Sequence, residues 1–273
     1  MHPSFDLTGR VAIITGGCGL LGRRHARAIA QSGGIPVLVD LKRAEPDRVA
    51  AELSQELHSR AIGIAADIAD RPQVEALLAR LLAEFGRVDI LINNAANNPK
   101  QEHSNEIEFS RFERFPVEQL DADMRVGLTG AMVMSQVIGT EMARRGGGVI
   151  LNIASDLGVI APDQRLYRKE GLPEDRQPVK PVSYSLVKTA LIGLTRYLAT
   201  YWADCGVRVN AISPGGVANG QPEEFVEKLT RLIPMGRMAN VDEYEGAIIF
   251  LCSDASSYMT GANLVIDGGR SCW

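Results

Sequence analysis

The chain has 273 residues, 45% of them hydrophobic, enough to bury one large core, and no linker-like stretch divides it. A net charge of −4, with no Lys/Arg-rich block, argues against a nucleic-acid or anionic-membrane partner and leaves a small molecule as the expected one. The cysteines Cys18, Cys205, Cys252 and Cys272 are scattered and read as small apolar fillers. His2, His25, His58 and His103 form no pair at metal spacing and read as polar surface residues, so no metal is expected. No basic-then-apolar leader opens the sequence and no apolar run reaches membrane-spanning length, which gives a cytoplasmic expectation.

Val11-Ala-Ile-Ile-Thr15 is an apolar run of strand length. It leads into Gly16-Gly-Cys-Gly-Leu-Leu-Gly22 and a helical pattern from Leu20 to Gln31. In a strand, glycine turn and helix, bare backbone can approach a pyrophosphate whose charge the helix N-terminus faces. Thr15, Gly16, Gly19, Leu20, Leu21 and Gly22 are therefore candidate dinucleotide contacts; a purely structural turn is the alternative. Ile35-Pro-Val-Leu-Val-Asp40, the second strand, ends in a carboxylate about 20 positions past the turn, where it can bind ribose hydroxyls and repel a 2′-phosphate. NAD is thus favoured over NADP. Lys42 and Arg43 soften that preference, and a plain strand-end turn residue is the other reading of Asp40.

Glu45 to Ser59 reads as a polar-faced helix, and Ala61 to Ala66 as a third strand running into Asp67-Ile68. Asp70, before Pro72, caps a helix carrying Val74, Leu77, Leu78, Leu81 and Leu82. Val88-Asp-Ile-Leu-Ile-Asn93 is the fourth strand, followed by Asn94-Ala95-Ala96. This alternation predicts a parallel sheet covered on both faces, with ligands beyond the carboxyl ends of its strands. From Asn97 to Pro116 the sequence is polar and irregular, with Asn98, Lys100, Gln101, Glu102 and His103, and reads as a solvated insert or a substrate rim.

A helix from about Glu118 to Arg144 ends at Gly146-Gly-Gly148, and Val149 to Ile153 is the fifth strand, delivering Ala154-Ser155 to the same edge. Ser155 is either a turn residue or a group facing the pocket. The charges and prolines of Ala161 to Val182 predict a surface loop or small lid without a buried element. Tyr184-Ser-Leu-Val-Lys188 then opens an amphipathic helix, with Leu186, Val187, Ala190, Leu191, Leu194 and Leu198 at three-to-four spacing, stopped by Gly206. Residues four apart share a face, so phenol and ammonium lie about one turn apart. A free phenol has a pKa of about 10; an adjacent cation favours the phenolate and makes it usable as an acid and base near neutrality. Taken alone, Tyr-x-x-x-Lys is usually a core-edge tyrosine beside a solvated lysine, and it is the rest of the chain that points to chemistry. Val207 to Ser213 is a sixth strand leading into Pro214-Gly-Gly-Val217, a turn where backbone can approach a ring. Pro222-Glu-Glu opens a short helix suited to a mobile flap, and a helix from Val241 to Ser253 precedes the last strand, Ala262 to Asp267.

Thr15-Gly16 with Gly19 and Gly22, Asp40, Asp67-Ile68, Asn93-Asn94-Ala95, Ser155, Tyr184-x-x-x-Lys188, Pro214-Gly215 and Val265-Ile-Asp-Gly-Gly269 stand in an order that resembles the short-chain dehydrogenase/reductase family over essentially the full length. The resemblance implies one doubly wound α/β domain of Rossmann type over 1–273, with a seven-stranded parallel sheet, helices on both faces, and a charged insertion at about 161–182. It implies a homotetramer or dimer built partly through the helix carrying Tyr184. It implies hydride transfer between NAD(P) and a secondary alcohol or ketone of a polar metabolite, with Tyr184 exchanging the proton. Lys188 would hold the nicotinamide ribose and depress the tyrosine pKa, Ser155 would bond the reacting oxygen, and Asn93 would shape the cofactor floor. Asp67, Ile68, Asn94, Ala95, Pro214, Gly215 and Val217 are the remaining cofactor contacts that the resemblance implies.

The chain departs from the family pattern in four places. Leu20 stands where glycine is usual, so the Gly19/Gly22 spacing is more like the extended, sugar-nucleotide branch, and Ala96 replaces a glycine. Gly127 stands where the family has an asparagine that holds a water linking the lysine to solvent, which predicts a slower proton relay or another water path. Ser155 and Tyr184 are 29 positions apart, beyond the family's usual spacing. The extra residues suggest a cover over a polar, phosphorylated or sugar-like substrate, with Arg165, Arg168 and Lys169 able to meet anions; an oligomer contact or a solvated loop fits as well. Asn97-Asn-Pro-Lys100 and Arg270-Ser-Cys-Trp273 are similar to members associated with bacterial nonulosonate or flagellin-glycan pathways. Two other functions stay open: a dinucleotide-binding regulatory or scaffold protein with decayed chemistry, motivated by Gly127, and a sugar epimerase or dehydratase with tightly held NAD, motivated by the glycine spacing.

Overall fold

Seven parallel strands in the order β3-β2-β1-β4-β5-β6-β7 form one sheet. They are β1 (Val11–Thr15), β2 (Ile35–Asp40), β3 (Ile62–Ala65), β4 (Ile90–Asn93), β5 (Gly148–Ile153), β6 (Val207–Pro214) and β7 (Asn263–Ile266). The computed structural model describes residues 2–97 and 110–273. Most of the polar stretch expected as a rim, including Asn98, Lys100, Gln101, Glu102 and His103, lies outside the described residues.

Side chains alternate across a strand, so each central strand feeds two cores. Ala12, Ile14, Leu38, Ile90, Ile92, Val149 and Leu151 face the layer made by α1 (Leu20–Gln31), α2 (Pro46–Leu57) and, near the far edge, a helix at Glu245–Cys252. Val11, Ile13, Val37, Val39, Leu91 and Ile150 face the other layer. That layer holds α3 (Arg71–Phe85), a run of helical segments, α4 (Val117–Met124), α5 (Gly130–Met134) and α6 (Thr140–Arg144), and the long α7 (Val182–Tyr201). Short α8 (Glu223–Thr230) sits beyond β6, and Glu245–Cys252 is α9. Asp70 caps α3 by accepting from the Gln73 N–H, as its position before Pro72 predicts. Strand order reverses direction between β1 and β4, and an open parallel sheet binds ligands in the crevice beside such a switch.

Three local expectations need correction. The helix expected as continuous to Arg144 is interrupted by π-helical turns at Arg125–Thr129 and Ser135–Gly139. The helix carrying Tyr184 ends at Tyr201, a separate 3-10 turn at Ala203–Cys205 follows, and Gly206 closes that turn with a φ of 72°. The inserted stretch is not free of buried groups: Leu166 is buried with Leu229, Ile233 and Met238, fastening the insertion to α8. Its interior is closed by the Gln177 amide, which accepts from the Lys169 N–H and donates to the Lys169 and Leu172 carbonyls. A hydrogen-bonded polar side chain thus does what the hydrophobic count did not predict.

Two residues were misjudged because burial is not visible in a residue type. Cys272 is exposed rather than an apolar filler. His25, expected on the surface, is 1% exposed on α1, and neither ring nitrogen makes a hydrogen bond of normal geometry. Desolvation pulls its pKa down from 6.5 to about 4, with Asn94 opposing.

Gly127 sits buried in the first π-helical turn, and a Cβ placed on it would lie 2.4 Å from Cγ1 of Val187 on α7. The absent side chain is what lets this turn press against the residue preceding Lys188. Adding a methyl here costs about 1–3 kcal/mol of overpacking, against about 1 kcal/mol gained from the better helix former. Gly127→Ala is therefore expected to lower the urea midpoint, by up to about 2 kcal/mol of stability, and the same change in a Val187→Ala background should be neutral or stabilising. Equal effects in both backgrounds would refute the packing account. For His25, the unfolded state binds more protons than the folded state between pH 4 and 6.5, so stability falls as pH drops through that window, by up to about 3 kcal/mol. Scanning Tm across it should show a shallower acid decline for His25→Leu than for the natural chain.

Candidate active site

At the carboxyl edge of the sheet, the residues after β1, β4, β5 and β6 enclose a cavity of about 370 Å³ with the first turns of α7. Ser155, Tyr184 and Lys188 line it together. So do Leu20, Leu21, Asn94, Pro214, Gly215 and Val217 from the expected cofactor set. Gly19 lines a neighbouring hollow with Leu20 and Cys18.

The glycine turn is built as a cradle. Gly16 has a φ of 61°, and a Cβ there would lie 2.9 Å from the Ala95 backbone, while one on Gly22 would lie 2.2 Å from the Gly16 carbonyl. Thr15 Oγ1 accepts from the Asn94 and Ala95 N–H groups at 3.0 and 3.1 Å, and Asn94 Nδ2 donates to the Thr15 and Gly16 carbonyls. Thr15, Gly16 and Ala95 therefore shape the turn by packing and hydrogen bonds. Gly19 caps α1 with no side chain, leaving the N–H groups of the first turn open to an anion. Asp40 stands beside that turn, accepting from the Cys18 N–H at 3.1 Å and the Leu41 N–H at 2.8 Å. An anion-accepting turn with a carboxylate at its flank fits a dinucleotide.

Asp67, Ile68 and Asn93 are not brought into the cavity. Asp67 is ion-paired to Arg125 at 2.9 Å, and Ile68 packs in the core against Gly130. Asn93 points under the sheet edge, where its Nδ2 donates to Asn152 Oδ1 at 2.9 Å and Ser135 Oγ at 3.2 Å, and Asn152 in turn donates to Thr195. Its part is to join β4 and β5 to the helical layer; the cavity wall belongs to Asn94.

The Ser155 hydroxyl donates to Asp156 Oδ1 at 2.9 Å and accepts from the Leu157 N–H. The other Asp156 oxygen accepts from Arg270 at 2.7 Å in an ion pair whose side chains are 4% and 8% exposed. Sequence reasoning missed Asp156 and Arg270: they are 114 positions apart, and only folding makes them a pair. Lys188 Nζ donates to the Ile153 carbonyl at 2.7 Å.

The tyrosine's electrostatics differ from the expectation. Burial, reinforced by Asp156, pushes the Tyr184 phenol up, and only the hydrogen-bonding Ser155 draws it down. Lys188 lies 5.7 Å from the ring centroid, and burial, with Lys180 nearby, lowers its own pKa to about 8. Desolvation therefore outweighs the neighbouring charge that the i,i+4 spacing suggested.

The insertion forms a second cavity of about 360 Å³ beside the first, and Tyr184, Tyr167 and Lys180 line both. Arg168 and Lys169 reach this cleft as expected, with Lys228 of α8 opposite. Arg165 does not: its side chain is 81% exposed and paired with Asp163 at 2.6 Å. Burial raises the Tyr167 phenol to about 12.

Among the described residues no helix is long and apolar enough to cross a membrane. The family model for short chain dehydrogenases matches residues 10–167, and that described as enoyl-(acyl carrier protein) reductase matches 175–271. The chain is 35% identical over 270 residues to a D-threitol dehydrogenase of Mycolicibacterium smegmatis, covering 97% of this chain and 94% of that protein. It is 33% identical to an NAD-dependent glycerol dehydrogenase of Listeria innocua, covering 97% and 95%. A crystal structure of a gluconate 5-dehydrogenase from Burkholderia cenocepacia, in complex with NADP and tartrate, superposes with a TM-score of 0.85 at 29% identity, over 99% of this chain and 98% of that one. With the family match spanning more than half the sequence, and relatives this similar along nearly all of it, the chain belongs to the short-chain dehydrogenase/reductase family.

Proposed function

We propose that this chain is an NAD-dependent oxidoreductase that interconverts a secondary alcohol and a ketone on a polyol or sugar acid, with Tyr184 as general acid and base. The observation that carries this reading is the convergence of Ser155, Tyr184 and Lys188 on one cavity whose other walls are the glycine turn and Pro214 to Val217. Relatives acting on threitol, glycerol and gluconate support the substrate class.

When bound, the nicotinamide supplies the hydride chemistry. The open N–H groups at the start of α1 would take the pyrophosphate and Asp40 the adenosine ribose, while Lys188 would hold the second ribose. Tyr184 would accept the hydroxyl proton as the alcohol is oxidised and return it in the reverse direction. Ser155, oriented by Asp156 and so by Arg270, would hydrogen-bond the reacting oxygen. Burial raises the Tyr184 pKa, so phenolate formation depends on what opposes it: the hydrogen bond of Ser155 and the ammonium of Lys188, 5.7 Å from the ring centroid.

Asp40 supports NAD because a 2′-phosphate would meet its carboxylate. Assembly of like chains belongs to the same reading: Leu186, Tyr197 and Tyr201 are 47%, 64% and 64% exposed on α7, and such an apolar face is hidden when two copies pack.

With purified protein and a panel of polyols and aldonates, Tyr184→Phe should lower kcat by about 10²- to 10⁴-fold while leaving NAD binding intact. Substantial turnover by that variant would remove Tyr184 from the chemistry, and NAD binding without any turnover by the natural chain would favour the regulatory alternative. Asp40→Asn keeps one acceptor oxygen, for either the Cys18 or the Leu41 N–H, and removes the charge. It should shift the ratio of kcat/KM with NAD to that with NADP towards NADP by about tenfold or more.

A further inference from the structure

Lys180 is held in place more firmly than a surface lysine needs to be. It stands between Val179 and Pro181; its own N–H donates to Gln164 Oε1 at 2.9 Å and that of Val179 to Ser110 Oγ at 3.0 Å. So anchored, its side chain turns inward, and Nζ lies 3.9 Å from the centroid of the Tyr184 ring, closer than Lys188. It lines both cavities, where the cleft under the insertion meets the phenol.

The other cations around this cleft are already answered, except Lys169, which is exposed to solvent. Arg168 pairs with Glu174, Lys228 with Glu224 and Arg270 with Asp156, and Lys188 donates to a carbonyl. Among the described residues Lys180 Nζ has no carboxylate within ion-pair distance and no hydrogen-bond acceptor. The Asp156 field reaches it, but that carboxylate is engaged by Ser155 and Arg270. Burial draws its pKa to about 8, so near neutrality it remains chiefly an ammonium. An inward-facing cation without a counter-charge, beside the group read above as the acid and base, is a place for an anion of the substrate. A single ammonium with no free guanidinium at its side suits the monoanionic carboxylate better than a phosphate dianion, which calls for more than one donor fork.

We propose that Lys180 is a substrate-positioning residue that binds the carboxylate of a polyhydroxy acid, so that this enzyme acts on aldonates in preference to neutral polyols. The inference rests on the reading of Tyr184 as the reaction centre, and it selects within the substrate class given there.

The test uses the full chain near neutral pH with NAD, comparing D-gluconate and other aldonates, alditols matched in length, and the corresponding sugar phosphates, for the natural protein, Lys180→Met and Lys180→Arg. The natural protein should prefer aldonates over alditols by about tenfold or more in kcat/KM. Lys180→Met should raise the aldonate KM by about tenfold to a hundredfold with kcat little changed, leave the alditol constants alone, and be largely rescued by Lys180→Arg. An unchanged Tm for the methionine variant would show that the loss is not one of folding. Equal use of aldonates and alditols, or a preferred sugar phosphate, overturns the proposal. So does a fall in kcat on every substrate with a displaced pH profile, because Lys180 would then act through Tyr184 instead. If Tyr184-dependent turnover persists while the charge at 180 makes no difference, this inference alone falls; if neither substrate class reduces the cofactor, the functional reading falls with it.

Discussion

Every strand of the sheet runs the same way, and the site depends on that constraint. Parallel strands put all their carboxyl ends on one edge, so segments as distant as Thr15, Asn94, Ser155 and Pro214 are delivered to a common crevice without any contact between them in the sequence. The order reversal beside β1 opens the gap between the crossovers, and hydrogen bonds from the Asn94 segment to Thr15 and Gly16 close the seam beneath it. The buried Asp156–Arg270 pair then ties the far end of the chain to the serine loop. Such a pair contributes little net stability once desolvation is counted, so its value here lies in where it holds Ser155.

Desolvation and charge oppose each other throughout this crevice. Burial lowers Lys180 and Lys188 and raises Tyr167 and Tyr184, in every case favouring the neutral form. The state of each group is therefore decided by burial and by what is placed against it, not by how many cations the sequence supplies. Arg165 illustrates the point: it was expected to meet anions at the pocket, yet it is spent on its neighbour Asp163 in solvent.

The helical layer behind the site follows a different logic, that of close approach. The π-helical turn around Gly127 lets backbone take the place of a side chain against Val187, so the residue that departs from the family pattern is also a packing residue. Asn93 and Asn152 link the same layer to the strand ends, satisfying buried amides within the fold instead of presenting them to a ligand.

Much of this was legible in the sequence. β1, α1 and β2 stand where apolar runs, the glycine turn and Asp40 placed them, because strand alternation, helical periodicity and turn chemistry act over a few residues and leave a local mark. The motif order likewise indicated the family and the residues that the structure gathers around one cavity. What no local pattern held was the burial of His25, the pairing of Asp67 with Arg125, the inward turn of Asn93 beneath the sheet edge, the anchoring of the charged insertion through Leu166 and Gln177, and the meeting of Asp156 with Arg270. Those depend on which distant group arrives at a given spot and how much water it displaces. Such quantities arise only when the sheet and its two helical layers close over one another, and so the tertiary structure alone decided them.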